Sequence, residues 1–146
     1  MAVVKKTSRQ SCVVDSSITL AWCFPDEKSS YPEEILDSIV TTTVWVPQLW
    51  HLEIANVFLM AEKKKRCTSS DVAGWLSFLS ALTISVDTET IKKAWNDILH
   101  LGRSQGLTTY DAAYLELALR RKAILATLDN KLANAGRRAG LEVMCD

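Results

Sequence analysis

The sequence predicts one α/β domain, with a mainly parallel sheet lying between helices. Two observations carry that expectation. Short apolar runs of strand length (CVVD, TTTVWV, ISVD, AILAT and LEVM) alternate with longer segments of helical length, which is the pattern of successive βαβ units. The length of 146 residues, at 48% hydrophobic and 23% charged, suits a single domain of ordinary size with a real core. No linker, repeat or low-complexity stretch divides the chain. Residues 1–10 are polar and basic and read as a loose flexible tail, which leaves 11–146 for the domain.

The elements follow in order. A first strand covers 12–15 and leads into a short helix, 17–24, which Pro25 helps to end. Pro32 suits the first turn of a second helix over 31–40. The β-branched run TTTVWV is a strand stopped by Pro47. The segment 48–66 is helical, apolar early and basic late, and the cations Lys63 to Arg66 complement its dipole. Its apolar residues lie almost all round, so it is expected to be largely buried. The capping-type sequence from Thr68 to Asp71 starts a helix that continues to about Leu82. ISVD, 84–87, is the third strand. A helix over 88–104, capped by Thr88 or nearby, ends at Gly102 and Gly106. Another follows over 108–122, then a strand over 123–127, a short helix over about 130–138 ended by Gly140, and LEVM as the last strand.

Several function classes are excluded early. The formal charge is zero, from 17 basic and 17 acidic residues, so bulk charge argues neither for nor against a nucleic-acid partner. The longest near-apolar run, Leu49 to Ala61, is broken by His51, Glu53 and Asn56 and is too short and too polar to span a bilayer. The N-terminus carries no apolar h-region, so no signal peptide and a cytoplasmic protein are expected. Cys12, Cys23, Cys67 and Cys145 form no C-x-x-C pair and read as free structural thiols rather than zinc ligands.

Four acids remain to be explained. Asp15 and Asp129 each end an apolar strand and precede a helix. There an aspartate serves either as an N-cap or as a ligand at the carboxyl edge of the sheet. Asp111, three residues after Thr108, resembles a capping box, yet shares a helical stripe with Tyr114, Leu115 and Ala118. Glu53 lies mid-helix among apolar neighbours, where a buried carboxylate must be protonated, paired or metal-bound. Capping explains the three aspartates singly but not Glu53, whereas one cleft explains all four. Clustered carboxylates repel one another unless a cation is present, and a hard ion such as Mg2+ or Mn2+ fits an all-oxygen set.

These residues sit in segments that resemble the PIN domain family, in particular the VapC-like ribonuclease toxins of bacterial toxin–antitoxin pairs. The matching segments are VVDSSITLAW, VPQLWHLEIANVF, LTTYDAAYLELALRRKAILATLDNKL and AGLEVM, in the family's order and covering nearly the whole chain from residue 12. The resemblance implies a three-layer α/β/α fold, metal-dependent cleavage of an RNA substrate, a cognate antitoxin protein, and a homodimer. It places the family's acids on Asp15, Glu53, Asp111 and Asp129 as catalytic and metal-holding residues, with Ser16 and Thr127 as supporting hydroxyls. The tail over 1–10 is longer than is usual for these toxins. Glu116 lies off the Asp111 stripe and is left out of the site. In-line attack by water would leave a 5′-phosphate and a 3′-hydroxyl and requires neither His51 nor His100. Basic runs at 63–66, 120–122 and 137–138 read either as solvated helix ends or as phosphate-steering patches. Trp45, Trp50 and Trp75 are candidates for a partner-facing surface. The rival readings are a catalytically inactive PIN-like module that only binds a partner, a phospho-acceptor domain built on Asp15, and a nuclease acting on DNA.

Overall fold

Parallel strands cannot be joined by tight turns, so successive strands in this chain are joined by crossovers that return over the sheet. The computed structural model describes residues 9–27 and 29–145. Its elements run β1 (Ser11–Val14), α1 (Ser16–Cys23), α2 (Ser30–Asp37), β2 (Thr43–Pro47), α3 (Leu49–Lys63), α4 (Ser69–Ala81), β3 (Ile84–Asp87), α5 (Thr90–Lys93), a π-helical turn (Ala94–Ile98), α6 (Leu99–Gln105), α7 (Thr109–Arg121), β4 (Ile124–Ala126), α8 (Asn130–Arg138) and β5 (Val143–Met144). The five strands form one sheet in the order β3-β2-β1-β4-β5, and every neighbouring pair is parallel. Central Val13 faces Trp45 on one side and Leu125 on the other.

Successive strand residues point to opposite faces. Val13 and Val14 are both 0% exposed, so both faces of the sheet are covered and the fold is the expected three-layer α/β/α. Helix α7 is the central support. Seven consecutive residues, Ala112 to Ala118, are buried on it, and each large apolar side chain among them contributes about 1.5–3 kcal/mol by leaving water. That anchoring fixes the position of Asp111 in its first turn.

The expected 88–104 helix forms as one continuous helical run over 90–105, with a shifted start and a π-helical turn inside it. Asp87 Oδ1 accepts the Glu89 N–H at 2.9 Å, so the helix begins at Thr90 rather than after Thr88. On that turn Ile98 is buried and Trp95 stands 91% exposed. Helix α3 departs from expectation too. Its apolar residues outnumber what one face can cover: Trp50, Ile54, Phe58 and Ala61 form the buried stripe, while Leu52 is 77% exposed. The partner-facing reading is corrected for Trp50, while Trp45 and Trp75 are half-buried against intramolecular neighbours. The Trp50 indole is buried and donates to Thr19 Oγ1 at 2.9 Å. Trp75 packs on Phe24 and Phe58 with ring centres 4.6 and 5.5 Å away. Trp45 lies under the Arg121 guanidinium, 3.3 Å from the ring centre.

Of the expected tail, only Arg9 and Gln10 fall within the described residues. Arg9 donates to the carbonyls of Val40 and Thr41. Cys12, Cys23 and Cys67 are free thiols, and burial pushes Cys12 up to about 12. Among the described residues no helix is long and apolar enough to cross a membrane.

Candidate active site

The carboxyl ends of β1 and β4 lie side by side, because Val14 pairs with Ala126. The next residue of each strand therefore brings Asp15 beside Thr127. Three helix N-termini meet at this edge. Asp15 is the N-cap of α1 and accepts the Ile18 N–H on Oδ1 at 3.2 Å. Asp129 is the N-cap of α8 and accepts the Leu132 N–H at 3.0 Å. Asp111 sits in the first turn of α7. The positive ends of these helix dipoles favour negative charge at this edge. Glu53 comes from the second turn of α3, which directly follows β2.

The capping alternative is resolved residue by residue. Two helices start with the same T-x-x-D pattern. At α4 the box is complete: Thr68 accepts the Asp71 N–H, and Asp71 Oδ2 accepts the Thr68 N–H at 2.9 Å. At α7 only half of it forms. Thr108 accepts the Asp111 N–H at 3.1 Å, but the Asp111 carboxylate accepts no hydrogen bond from a described residue. Asp15 and Asp129 do cap their helices, through one oxygen each, and that leaves Oδ2 of each outside the cap.

Hydroxyl groups hold the acids in place. Ser17 Oγ and Thr127 Oγ1 each donate to Asp15 at 2.5 Å. Both hydroxyls are themselves fixed by backbone: Ser17 accepts the Leu128 N–H at 2.8 Å, and Thr127 accepts the Asp129 N–H at 3.0 Å. Ser16 turns to Glu53 instead, donating to Oε1 at 3.2 Å. The Tyr114 hydroxyl donates to the same oxygen at 2.7 Å. Ser17 and Tyr114 escape a reading of the sequence. The doubled serine after Asp15 was a signal for the first, and the i+3 relation to Asp111 for the second. Glu53 is half-buried, and its partners are these hydroxyls rather than an arginine or lysine.

Electrostatics ties the four acids together. Asp15 is 6% exposed. Burial pushes its carboxyl up to about 6, against the hydrogen bonds from Ser17, Thr127 and Ile18, and the charge of Asp111 adds to the rise. Asp111 is raised by burial and then by the charges of Asp129 and Glu53, with Lys131 acting the other way. Lys131, on the first turn of α8, is thus the cation in electrostatic contact with the cluster, and it lay outside the basic runs that the sequence singled out. Among the described residues, no three acid, histidine or cysteine side chains already close into a metal shell. The donor set is nonetheless all oxygen, and Mg2+ is characteristically held by one or two carboxylates, with waters and substrate phosphate completing its sphere. The residues present fit such an ion.

The expected steering patches are mostly committed elsewhere. Arg120 forks onto both oxygens of Asp87 at 2.8 and 2.9 Å and onto Glu116 at 2.7 Å, and Arg121 Nη2 adds a contact to Asp87 at 2.8 Å. These guanidiniums hold Asp87 well below the ordinary carboxylate range. Arg66 pairs with Asp26 and Glu27. Arg137 and Arg138 bond Asn134 and Gln105. Lys63 lies ten residues along α3 from Glu53, about 15 Å at helical rise. A cavity of about 820 Å3 lined by Arg9, Arg121 and Lys122 opens at the amino ends of β1 and β4, the opposite edge from the acids. His51 is exposed, with Nδ1 3.3 Å from the Gln48 carbonyl, and touches none of the acids.

Comparison with known proteins agrees with this architecture. A family model described as PIN domain matches residues 12–138. Ribonuclease VapC3 of Pyrobaculum aerophilum is 29% identical over 125 residues, which cover 83% of this chain and 91% of that protein. Among solved structures, VapBC2 from Rickettsia felis, bound to a promoter DNA fragment, matches with a TM-score of 0.67 at 15% identity, covering 94% of this chain and 99% of that one. VapC20 of Mycobacterium tuberculosis, described as a sarcin-ricin loop cleaving toxin, matches with a TM-score of 0.59 at 13% identity, covering 86% of this chain and 95% of that one. At such identities the two structures speak for the fold alone.

Proposed function

Because the chain belongs to the PIN domain family, we propose that it is a Mg2+- or Mn2+-dependent endoribonuclease, the toxin of a toxin–antitoxin pair. One observation carries the proposal: four acids distant in the chain meet at one edge of the sheet, coupled in charge, and none of them forms an ion pair among the described residues. Such a cluster is costly by itself and favourable around a divalent cation. Asp15, Asp111 and Asp129 would hold the ion, directly or through water, and Glu53 would be a ligand or orient the attacking water. When bound, the ion supplies a nucleophile near neutral pH and stabilises charge on the scissile phosphate. Ser16, Ser17 and Thr127 fix the carboxylates, and Lys131 is placed to meet an RNA phosphate.

The partners follow from the same reading. The family resemblance and the similarity to VapBC proteins support a cognate antitoxin that covers this edge, and a homodimer. The test is cleavage of total cellular RNA with Mn2+, with the ends mapped. The expected products carry 5′-phosphate and 3′-hydroxyl ends, and both Asp15→Asn and Asp111→Asn abolish cleavage while the fold survives. Cleavage retained in clean preparations of both variants refutes the assignment, and cleavage of DNA but not RNA would replace the substrate. A folded protein that neither cleaves nor is stabilised by Mn2+ would instead be a partner-binding module.

A further inference from the structure

We propose that Tyr114 is a positioning residue for Glu53: its buried hydroxyl fixes one oxygen of that carboxylate and so leaves the other for the cation or the attacking water. The inference rests on the metal-dependent reading above and extends it to a residue outside the four acids.

Tyr114 lies on α7 three residues after Asp111, and it is 1% exposed. Three hydroxyl and carboxylate oxygens form a closed triangle. The Tyr114 hydroxyl donates to Glu53 Oε1 at 2.7 Å, Ser16 Oγ donates to the same oxygen at 3.2 Å, and the two hydroxyls lie 3.2 Å apart. Each hydroxyl has one proton. With the phenol proton on Glu53, the serine proton goes either to Glu53 or to the phenol oxygen. In both arrangements Oε1 accepts the phenol proton, and Oε2 accepts no hydrogen bond from a described residue.

A phenol suits this task for three reasons. Its ring has few rotatable bonds and is locked in the core of α7, so the donor cannot move away. Its proton orients the carboxylate without cancelling the charge, as an arginine would. It also spans two elements distant in the chain, so the α3 carboxylate is fixed relative to the α7 carboxylate, Asp111. Glu53 otherwise stands on a half-buried face of α3 whose neighbours Leu52 and Ala55 are exposed, and little else there would hold its three side-chain torsions. Groups that orient a ligating carboxylate typically change metal affinity or turnover by about 10–100-fold when removed.

The experiment is Tyr114→Phe in the full chain, which keeps the ring and removes only the hydroxyl. Mn2+ binding is measured by calorimetry, and kcat and KM are measured on an RNA cleaved in the mapping experiment. We expect a Mn2+ Kd weaker by about 10-fold and kcat lower by about 10–100-fold with KM little changed. The double variant Tyr114→Phe/Glu53→Gln should lose no more than Glu53→Gln alone, since the phenol acts through that carboxylate. Mn2+ affinity and kcat within two-fold of wild type in a folded Tyr114→Phe would overturn the role, as would losses that simply multiply in the double variant. If Tyr114→Phe does not fold, Ser16→Ala and Glu53→Gln supply the same comparison from the other two corners of the triangle: additive losses there overturn the shared-anchor geometry. A wild-type protein that takes up no Mn2+ overturns the metal-dependent reading itself, which is a distinguishable failure.

Discussion

Replacing Asp15 with asparagine should remove activity and at the same time make the metal-free protein more stable. The carboxyl is pushed from 3.8 to about 6, chiefly because it is buried. A folded-state pKa above the unfolded one means that the fold prefers the protonated acid. Stability from this group is therefore fully present below about pH 4 and is lost as pH rises through about 6. The shift of about two units corresponds to about 3 kcal/mol at pH 7. Asparagine is the uncharged counterpart and can still accept from Ser17 and Ile18 on its oxygen. Its NH2 would face Thr127 Oγ1, whose own O–H then loses its acceptor, at a cost of about 1 kcal/mol. A net gain of about 2 kcal/mol remains, or about 4–8 °C in Tm for a chain of this size. The assay is thermal and urea unfolding in EDTA at pH 7 and pH 4. At pH 4 wild-type Asp15 is already protonated in the folded state, so the ionisation cost should fall to about half a kcal/mol and the advantage should disappear. An Asp15→Asn protein no more stable than wild type at pH 7, or equally favoured at both pH values, would refute the reasoning.

Further outcomes follow from other parts of the molecule. Wild type should gain about 2.7 kcal/mol at a Mn2+ concentration 100 times its Kd, read as a rise in Tm, and Asp111→Asn should lose most of that gain. Arg120→Ala removes the fork that joins buried Asp87 to Glu116 and should cost about 3–5 kcal/mol in urea unfolding, with RNA cleavage by the remaining folded protein unchanged. Because Arg120 and Arg121 hold Asp87 low, its contribution is present above about pH 4 and lost at more acid pH, so the same variant should show a shallower acid limb in stability against pH. Gly136→Ala would set a Cβ 2.9 Å from Leu125 Cδ2 and 3.0 Å from Val143 Cγ2. Leu125 is fully buried, so overpacking of about 1–3 kcal/mol is expected, visible as a lower Tm.

The fold was legible because its signals are local and repeated. Each strand is a short β-branched or apolar run, and most turns into a helix carry a cap or a proline. The failures have physical causes. Thr88 looked like a cap, but Asp87 captures the Glu89 amide, and that competition depends on where Asp87 is held by Arg120 and Arg121 from another element. Helix α3 looked buried all round because its composition is apolar, yet composition does not say how many layers cover a helix. The basic runs left two readings open, solvated helix ends or phosphate steering, and the pairs of Arg66, Arg120 and Arg121 with Asp26, Glu27 and Asp87 that bear on the choice join residues far apart in the chain. At the candidate site the four acids could be named from spacing and resemblance. The hydroxyls that hold them could be named only in part: Ser16 and Thr127 were in view, but which acid each serves, and the entry of Ser17 and Tyr114, depend on the side-chain directions set by packing.

The chain contains its own comparison for what a buried carboxylate means. Asp87 and Asp15 are both nearly inaccessible, at 1% and 6% exposed, and both follow parallel strands or end them at the carboxyl edge of the sheet. Asp87 meets two guanidiniums and is held low. Asp15 meets only two hydroxyls and an amide, and burial drives it up against them. Both arginines that neutralise Asp87 belong to α7, the helix that also carries Asp111, so this fold can bring internal cations to a buried acid. At Asp15 it uses neutral donors only. Neutral donors fix the direction of a carboxylate and leave its charge uncancelled, so a cation arriving from solution meets oriented ligands and relieves a repulsion already present. The Asp87 cluster is neutralised from within the fold, whereas the Asp15 cluster is not, and that difference is what the proposed cation would make up.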